Sequence, residues 1–304
     1  MASVLEQAPP PPAPPVGGSN PAGRILTAKL GARVLAVDDF RGDMSITVER
    51  GAWVEAVTLV RDHPELDCKL FLDLCGVDWL DMRDQRYQVV FHAYSLSTKH
   101  HVRLKTSLPE SDPKVDSIHT VYKGANWFER EAWDLYGIVF TGHPNLTRIL
   151  THEAFVGHPM RKDYPVARRH LLKSPKEWLV QVPPDNPHPV VNIGPSHPAM
   201  HGTFRVQAVM DGETIQDCEA EIGYMHRNFE KMAENRTYWQ IIPYTDRLNY
   251  CSSFMNGHGW ALAVEKLMSV PAPPRAEAIR VILSEFSRIM DHFVCIGRRS
   301  RRSG

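Results

Sequence analysis

The run Ile193-Gly194-Pro195-Ser196-His197-Pro198-Ala199-Met200-His201-Gly202 crowds two histidines, two prolines and two glycines together. On a helix, the His-x-x-x-His spacing would set both imidazoles on one face as a metal pair. Pro198 and the flanking glycines forbid a regular helix, which weakens the metal reading. A loop that projects imidazoles from a hairpin is the better expectation, with a rigid turn as its plain alternative. A second run, Pro243-Tyr244-Thr245-Asp246-Arg247-Leu248-Asn249-Tyr250-Cys251, sets phenols, a carboxylate and a guanidinium between two predicted helices. Isolated tyrosines are usually rim or core residues, so this run needs context before chemistry is assigned to it. A third, Ile222-Gly223-Tyr224-Met225-His226-Arg227, joins a strand end to a helix start, a place where anions can be held. No Gly-x-Gly-x-x-Gly or P-loop pattern occurs, so no nucleotide site is readable.

Trp127-Phe128-Glu129-Arg130-Glu131-Ala132-Trp133-Asp134-Leu135-Tyr136-Gly137 reads differently. Neighbouring Glu129 and Arg130 cannot both face one contact, so a charged aromatic helix suited to docking is expected. Gly142-His143-Pro144, Arg148-Ile149-Leu150 and Gly157-His158-Pro159-Met160-Arg161-Lys162-Asp163-Tyr164-Pro165 follow as extended, turn-rich segments. They could lie across a partner surface, but a structural role is the better expectation.

The elements that must position these residues follow from pattern. Residues 1–24 are rich in proline and should form a flexible, partly polyproline arm. Arg33–Val37 and Met44–Val48 read as short strands. Trp53, Val57 and Val60 carry helical spacing, closed by Pro64. Lys69–Leu80, Arg86–Ser95 and His100–Leu108 look like a three-strand meander. Val115–Tyr136 reads as a helix ended by Gly137. Five prolines between Lys173 and Pro189 mark a linker, placed at residues 171–189. Val190–Ile193, Thr203–Met210 and Thr214–Ile222 then read as strands, the last two joined at Asp211-Gly212. Helices are expected over Arg227–Tyr238, Gly257–Met268 and Arg275–Val294. Pro274 opens the last of these, whose Ile279, Ile282, Phe286, Ile289 and Phe293 share one face. The fold class is α+β: a mixed sheet-plus-helices domain over residues 25–170, the linker, then a hairpin and helices over 190–297. A basic tail, 298–304, breaks the pattern after Gly297 and reads as a premature end or frame error. It leaves the second domain without the rest of its core.

Bulk properties remove whole classes of function. Lys+Arg and Asp+Glu are equal at 35 each, so no basic field argues for nucleic acid. Five scattered cysteines (Cys68, Cys75, Cys218, Cys251, Cys295) form no Cys-x-x-Cys, which argues against iron–sulfur or zinc ligation by this chain and for reduced thiols. No stretch approaches the ~20 apolar residues of a membrane span. Met1–Ala22 lacks the features of a signal peptide. A chain peripheral to a membrane through a partner, or soluble, is expected.

Glu129-Arg130-Glu131, Asp134, Gly142-His143-Pro144, Arg148-Ile149 and Gly157-His158-Pro159-Met160-Arg161-Lys162-Asp163 closely resemble the signature of the C subunit of bacterial respiratory complex I. Asn192–Gly202, Ile222–Arg227, Glu230-Lys231, Glu234-Asn235-Arg236-Thr237 and Tyr244–Tyr250 resemble the start of its D subunit. The resemblance spans roughly residues 25–297, and fused C/D versions exist in this family.

That resemblance implies a subunit of the peripheral arm of NADH:quinone oxidoreductase, on the cytoplasmic side of the inner membrane. Its work would be quinone reduction coupled to proton translocation, and assembly of the arm. The expected partners are the iron–sulfur-bearing B-type subunit, the membrane arm and quinone itself. No cofactor is expected on this chain; NADH and the clusters belong to partner subunits. His201 and Tyr250 match the family's quinone-binding histidine and tyrosine. His197, His226, Arg227, Asp246 and Arg247 match positions near the chamber or the cluster. Reducing a quinone takes two electrons and two protons, and a metal cluster supplies only the electrons. Neutral Tyr (pKa ~10) and His (pKa ~6.5) can polarise the carbonyls and release protons as charge builds. Positive charge on Arg227 and Arg247 would favour the reduced states.

Two departures stand out. Asn249 replaces the usual Asp before the quinone tyrosine. The family also continues past Gly297 into a segment carrying an Asp thought to pair with the quinone histidine, where this chain has Arg302 at about that place. The isolated chain is therefore expected to be inactive. The alternatives are a structural assembly subunit or inactive fragment, and a nickel–iron hydrogenase-type large subunit. The last needs paired cysteines, and Cys251 has no such partner nearby.

Overall fold

The computed structural model describes residues 20–40, 42–168, 170, 180, 185–197 and 202–300. The chain divides into two compact units: the first runs to Arg148 and takes in Arg161–Tyr164, and the second holds Ile149–Met160 and the residues from Pro165 onward. Composition places the boundary at residue 170. Among the described residues no helix is long and apolar enough to cross a membrane.

The first unit opens with helix α1 (Ala22–Leu30), which starts inside the stretch expected to be a flexible arm. Ala22, Ile25, Leu26 and Leu30 bury one stripe of it, which gives the helix a tertiary reason to form. Most of the arm itself, residues 1–19, lies outside the described residues. Strands β1 (Val34–Phe40), β2 (Asp43–Val48), β3 (Leu70–Asp78), β4 (Tyr87–Tyr94) and β5 (His101–Leu108) build one sheet in the order β1-β2-β5-β4-β3. The meander β3-β4-β5 is antiparallel, whereas β2 joins β5 in parallel. Strict alternation on β5 turns Val102, Leu104, Thr106 and Leu108 inward and His101, Arg103, Lys105 and Ser107 outward. Helix α2 (Trp53–Asp62) covers the inner face through Trp53, Ala56, Val57 and Val60. Aromatic rings knit this core: Trp53 meets Phe91 edge-on at 6.3 Å, and Phe71 meets Phe128 at 5.1 Å.

The long helix expected over Val115–Tyr136 is shorter. Strand β6 (Lys114–Asp116) pairs in parallel with β7 (Val139–Thr141), and helix α3 covers only Ala125–Tyr136. The β-branched Val115 finds a ladder partner in Phe140, and tertiary pairing overrides the helical reading. Gly137 ends α3 in the left-handed conformation (φ 78°), its N–H bonding Trp133 O.

In the second unit β8 (Val190–Ile193), β9 (Arg205–Asp211) and β10 (Thr214–Glu221) form an antiparallel sheet in the order β10-β9-β8. Asp211 pairs with Thr214, so the turn residues are Gly212 and Glu213, one place beyond the expected Asp211-Gly212. Gly212 supplies the positive φ, 59°, that the tight turn needs. The first expected helix, Arg227–Tyr238, is shorter, α4 (Phe229–Glu234), and a separate helix α5 (Tyr238–Thr245) extends into the run expected to lie between helices. A capping box between Thr237 and Gln240 restarts the helix, and Pro243 is accommodated within its second turn. Helices α6 (Ser253–Met268) and α7 (Pro274–Ser300) follow. Helix α7 runs past Gly297, where the sequence pattern suggests a break, because arginine is a good helix former and suits a helix C-terminus. Most of the expected linker, residues 171–179 and 181–184, lies outside the described residues, as do residues 301–304 of the tail with Arg302.

Candidate functional site

Five of the seven residues matched to a quinone chamber lie just after α5 (Asp246, Arg247, Tyr250) or where β10 gives way to α4 (His226, Arg227). After Glu221 the chain turns at Gly223 (φ 95°); a Cβ there would lie 2.5 Å from Leu150 O, so only glycine fits this approach. His226 N–H closes the turn onto Gly223 O at 3.0 Å, leaving the His226 ring half-buried. The Tyr224 hydroxyl donates to the Glu221 carboxylate, which also meets Arg205 at 2.9 Å. Burial, and then the bond to Glu221, pushes the Tyr224 phenol above its ordinary value. Arg227 carries its guanidinium over the ring of Tyr244 on α5, 4.7 Å from the centroid. That stacking holds a cation in place without neutralising it.

Beyond α5, Asp246 lies against α6: a Cβ on Gly257 would sit 3.2 Å from Asp246 Oδ1. Arg247 donates to Pro243 O at 3.2 Å and has Asp246 3.8 Å away. Asn249 Nδ2 donates to Ser252 Oγ at 2.6 Å, and Asn249 O accepts from Asn256 at 3.2 Å. The amide at this unusual position thus fastens the 3-10 turn Tyr250–Ser252. Tyr250 opens that turn and is 48% exposed.

Of the seven residues proposed from sequence, the structure brings Asp246 and Arg247 together and gives Arg227 an aromatic support. His197 is exposed at the end of the described part of its loop. His201 lies outside the described residues, and so does the relation of its imidazole to Tyr250. Tyr244 emerges as the stacking partner of Arg227. The Tyr-Thr-Asp-Arg run holds that residue, but nothing in the sequence links it to Arg227.

The first unit holds a second polar centre on α3, the charged aromatic helix expected to suit docking, and most of its charges are not left to solvent. Glu129, Arg130 and Asp134 are all buried. Glu129 accepts the Ser117 hydroxyl at 2.5 Å and Ile118 N–H at 2.7 Å, with His143 Nε2 3.9 Å away. Adjacent Arg130 turns the other way, donating to Thr147 O and Arg148 O at 3.1 and 2.9 Å, while Asp134 receives Arg148 at 2.6 Å. The charges of α3 thereby hold the extended segments that follow it in sequence.

Asp78 and Arg86, at the ends of β3 and β4, are also buried and form a bidentate pair at 2.9 Å. Arg86 reaches Asp163 at 2.8 Å, and Asp78 accepts Lys162 N–H at 2.8 Å, so this pair pins residues 161–164 to the sheet. Burial works against the charged form of Asp78, but the Arg86 bonds and the backbone donor outweigh it and hold its pKa below the usual carboxylate range. Among the described residues no cluster of three His, Cys, Asp or Glu side chains could hold a metal ion.

Residues 46–170 match the family described as the respiratory-chain NADH dehydrogenase 30 Kd subunit. The chain is 46% identical over 263 residues to the fused C/D subunit of NADH-quinone oxidoreductase from Bdellovibrio bacteriovorus, covering 84% of this chain and 46% of that protein. It is 37% identical over 297 residues to the fused C/D subunit from Pseudomonas aeruginosa, covering 90% of this chain and 50% of that one. A trypsin-resistant fragment of Nqo5 aligns with 41% of this chain and 98% of its own length, at 26% identity and a TM-score of 0.37. The chain spans about half the length of the C/D relatives. Residues 46–170 thus match the 30 Kd subunit family of respiratory NADH dehydrogenase, and most of the chain is similar to about half the length of the fused C/D subunits of NADH-quinone oxidoreductase.

Proposed function

We propose that this chain is a peripheral-arm subunit of an NADH:quinone oxidoreductase, and that its second unit contributes one wall of the quinone site. The observation that carries this reading is the identity over 84% of the chain to a fused C/D subunit, which takes in the Tyr250 and Arg227 runs. Tyr250 then presents a phenol to the quinone head group, and His201 an imidazole. Each can donate a hydrogen bond to a quinone oxygen, and as the ring accepts two electrons one proton can come from the phenol and one from the imidazolium form of the histidine, leaving a neutral imidazole. Those electrons would come from an iron–sulfur group on a B-type partner subunit. Arg227, held by Tyr244, and Arg247, tethered to Pro243 O, add fixed positive charge that favours the reduced ring. The arm would lie on the cytoplasmic side of the inner membrane, attached through the membrane arm, with NADH oxidised on another subunit.

The test is Tyr250→Phe and His201→Ala in the assembled complex. Loss of quinone turnover by about 10²-fold or more, with assembly and electron transfer from NADH to an artificial acceptor intact, is the expected result. Unchanged turnover would mean that the second unit is a scaffold.

A further inference from the structure

Glu129 stands at the inner end of a short hydrogen-bonded chain that leads out of the first unit's core. Its carboxylate meets Ser117 Oγ at 2.5 Å, and the same hydroxyl is 3.1 Å from His119 Nδ1. The ends of the chain differ in depth: Glu129 is fully buried and Ser117 nearly so, whereas His119 is half-buried. With Nδ1 turned to Ser117, Nε2 is the ring nitrogen left to meet water. Backbone bonds fix the three groups. His119 N–H donates to Ser117 Oγ at 3.3 Å, Ser117 N–H donates to Thr141 O at 2.9 Å, and Ile118 N–H holds the other carboxyl oxygen at 2.7 Å.

A hydroxyl has one proton to donate, and Ser117 has two acceptors beside it, so its direction must follow the charge of its neighbours. With Glu129 protonated, the acid donates to Ser117 Oγ and Ser117 donates to a bare His119 Nδ1. With Glu129 ionised, Ser117 donates to the carboxylate and His119 donates from Nδ1 to Ser117 Oγ. Passing from the first state to the second moves the Glu129 proton to Ser117 Oγ while the Ser117 proton moves to Nδ1. The imidazolium so formed then releases its Nε2 proton to water and is neutral again. The other charged groups nearby offer no such route. His143 Nε2, 3.9 Å from the carboxylate, is committed to Asn126 O, and its Nδ1 accepts Asn145 N–H. Arg130 is turned to Thr147 O and Arg148 O, Asp134 is paired with Arg148, and Lys114 and Asp116 of β6 are exposed.

We infer that Ser117 and His119 form a proton relay through which the buried Glu129 carboxyl exchanges with water, which makes this corner of the first unit a proton-binding site. Burial against neutral donors pushes that carboxyl up to about 7, so it gains and loses its proton near neutral pH. Without a relay, exchange has to wait for the core to open locally. The inference is independent of the quinone reading, since every group in it lies in the first unit and its readout is proton transfer rather than quinone turnover.

The test is a rapid pH jump on the full 304-residue chain, from about pH 5.5 to about pH 8.5, which spans the ionisation of a carboxyl raised in this way. Time-resolved infrared spectroscopy follows loss of the protonated carboxyl stretch, and Glu129→Gln, which removes that band, assigns it. His119→Ala should slow the loss by about 10²-fold while the equilibrium midpoint stays in place, and added imidazole should restore the rate. His119→Gln keeps the size and hydrogen bonding of the side chain but carries no exchangeable charge, and should be as slow as His119→Ala. Ser117→Ala breaks the chain at its middle, so it should be slow and imidazole should not rescue it. An unchanged rate in both His119 variants, a slowed rate that imidazole leaves slow in His119→Ala, or a midpoint in His119→Gln that moves along with the rate would each overturn the relay.

Discussion

Replacing Glu129 with glutamine should make the chain more stable at pH 8 and change little at pH 4.5. Glu129 is fully buried, and its two donors, the Ser117 hydroxyl and Ile118 N–H, are neutral. The nearest groups that could carry positive charge do not supply it. His143 donates from Nε2 to Asn126 O at 3.0 Å and accepts Asn145 N–H at Nδ1 at 3.0 Å, which fixes it as the neutral ring, and burial lowers its pKa further. His119 reaches the centre only through Ser117 Oγ, 3.1 Å from its Nδ1. Arg130 is turned away toward Thr147 O and Arg148 O. Burial therefore dominates over the two hydrogen bonds and pushes the Glu129 carboxyl from 4.5 up to about 7.

The sign follows from which state ionises first. Below pH 4.5 both folded and unfolded chains hold the proton, and the group costs nothing. Between pH 4.5 and 7 the unfolded chain has lost its proton and the folded chain keeps it, so stability falls as pH rises. Above pH 7 the loss levels off at about 3 kcal/mol. Glutamine keeps an oxygen for Ile118 N–H and a donor for Ser117 Oγ but cannot ionise. Urea unfolding of the two proteins at several pH values between 4.5 and 8.5, followed by tryptophan fluorescence, measures the difference directly, since all other titrations cancel. A gap between the proteins that opens by about 3 kcal/mol over this range is expected. A gap constant to within about 0.5 kcal/mol would refute the placing of Glu129 in an uncompensated buried site.

Arg86→Ala leaves buried Asp78 without its cation, which should cost about 3–5 kcal/mol and release residues 161–164 from the sheet. Trypsin would then cut after Arg161 or Lys162 faster than in the unsubstituted chain, and equal cutting rates would contradict this. Gly223→Ala forces a Cβ to 2.5 Å from Leu150 O at a φ of 95°, so a loss of about 2–4 kcal/mol is expected in thermal unfolding of the second unit. Gly142→Ala, also at positive φ but with nothing within 4 Å of the added methyl, should cost less, about 1 kcal/mol.

Much of this architecture is a property of local sequence. Period-two alternation along His101–Leu108 fixes both a strand and its inner face, Trp53, Val57 and Val60 fix a helix and its buried stripe, and Gly137 fixes where α3 stops. Each depends on residues within one or two turns of each other, and the side chains themselves carry the information. The runs holding Arg227, Asp246 and Tyr250 are likewise recognisable as strings, because motif identity is a matter of neighbours in the chain.

What tertiary structure alone decided are the choices between distant partners. The parallel seam of β2 with β5, the pairing of Val115 with Phe140 that shortens α3, and the stacking of Arg227 on Tyr244 all join residues whose separation along the chain encodes no preference. Glu129 and Arg130 show the reason most plainly. A charged pair on a helix looks solvated until the carbonyls and N–H groups of segments far along the chain arrive to receive it, and burying such groups is tolerable only with those donors and acceptors in place. Helix α7 is the converse case. Its apolar spacing is legible and implies a covered face, yet in this fold the small, polar stripe packs inward, where Arg280 meets Glu265 and Ser284 meets His258 on α6.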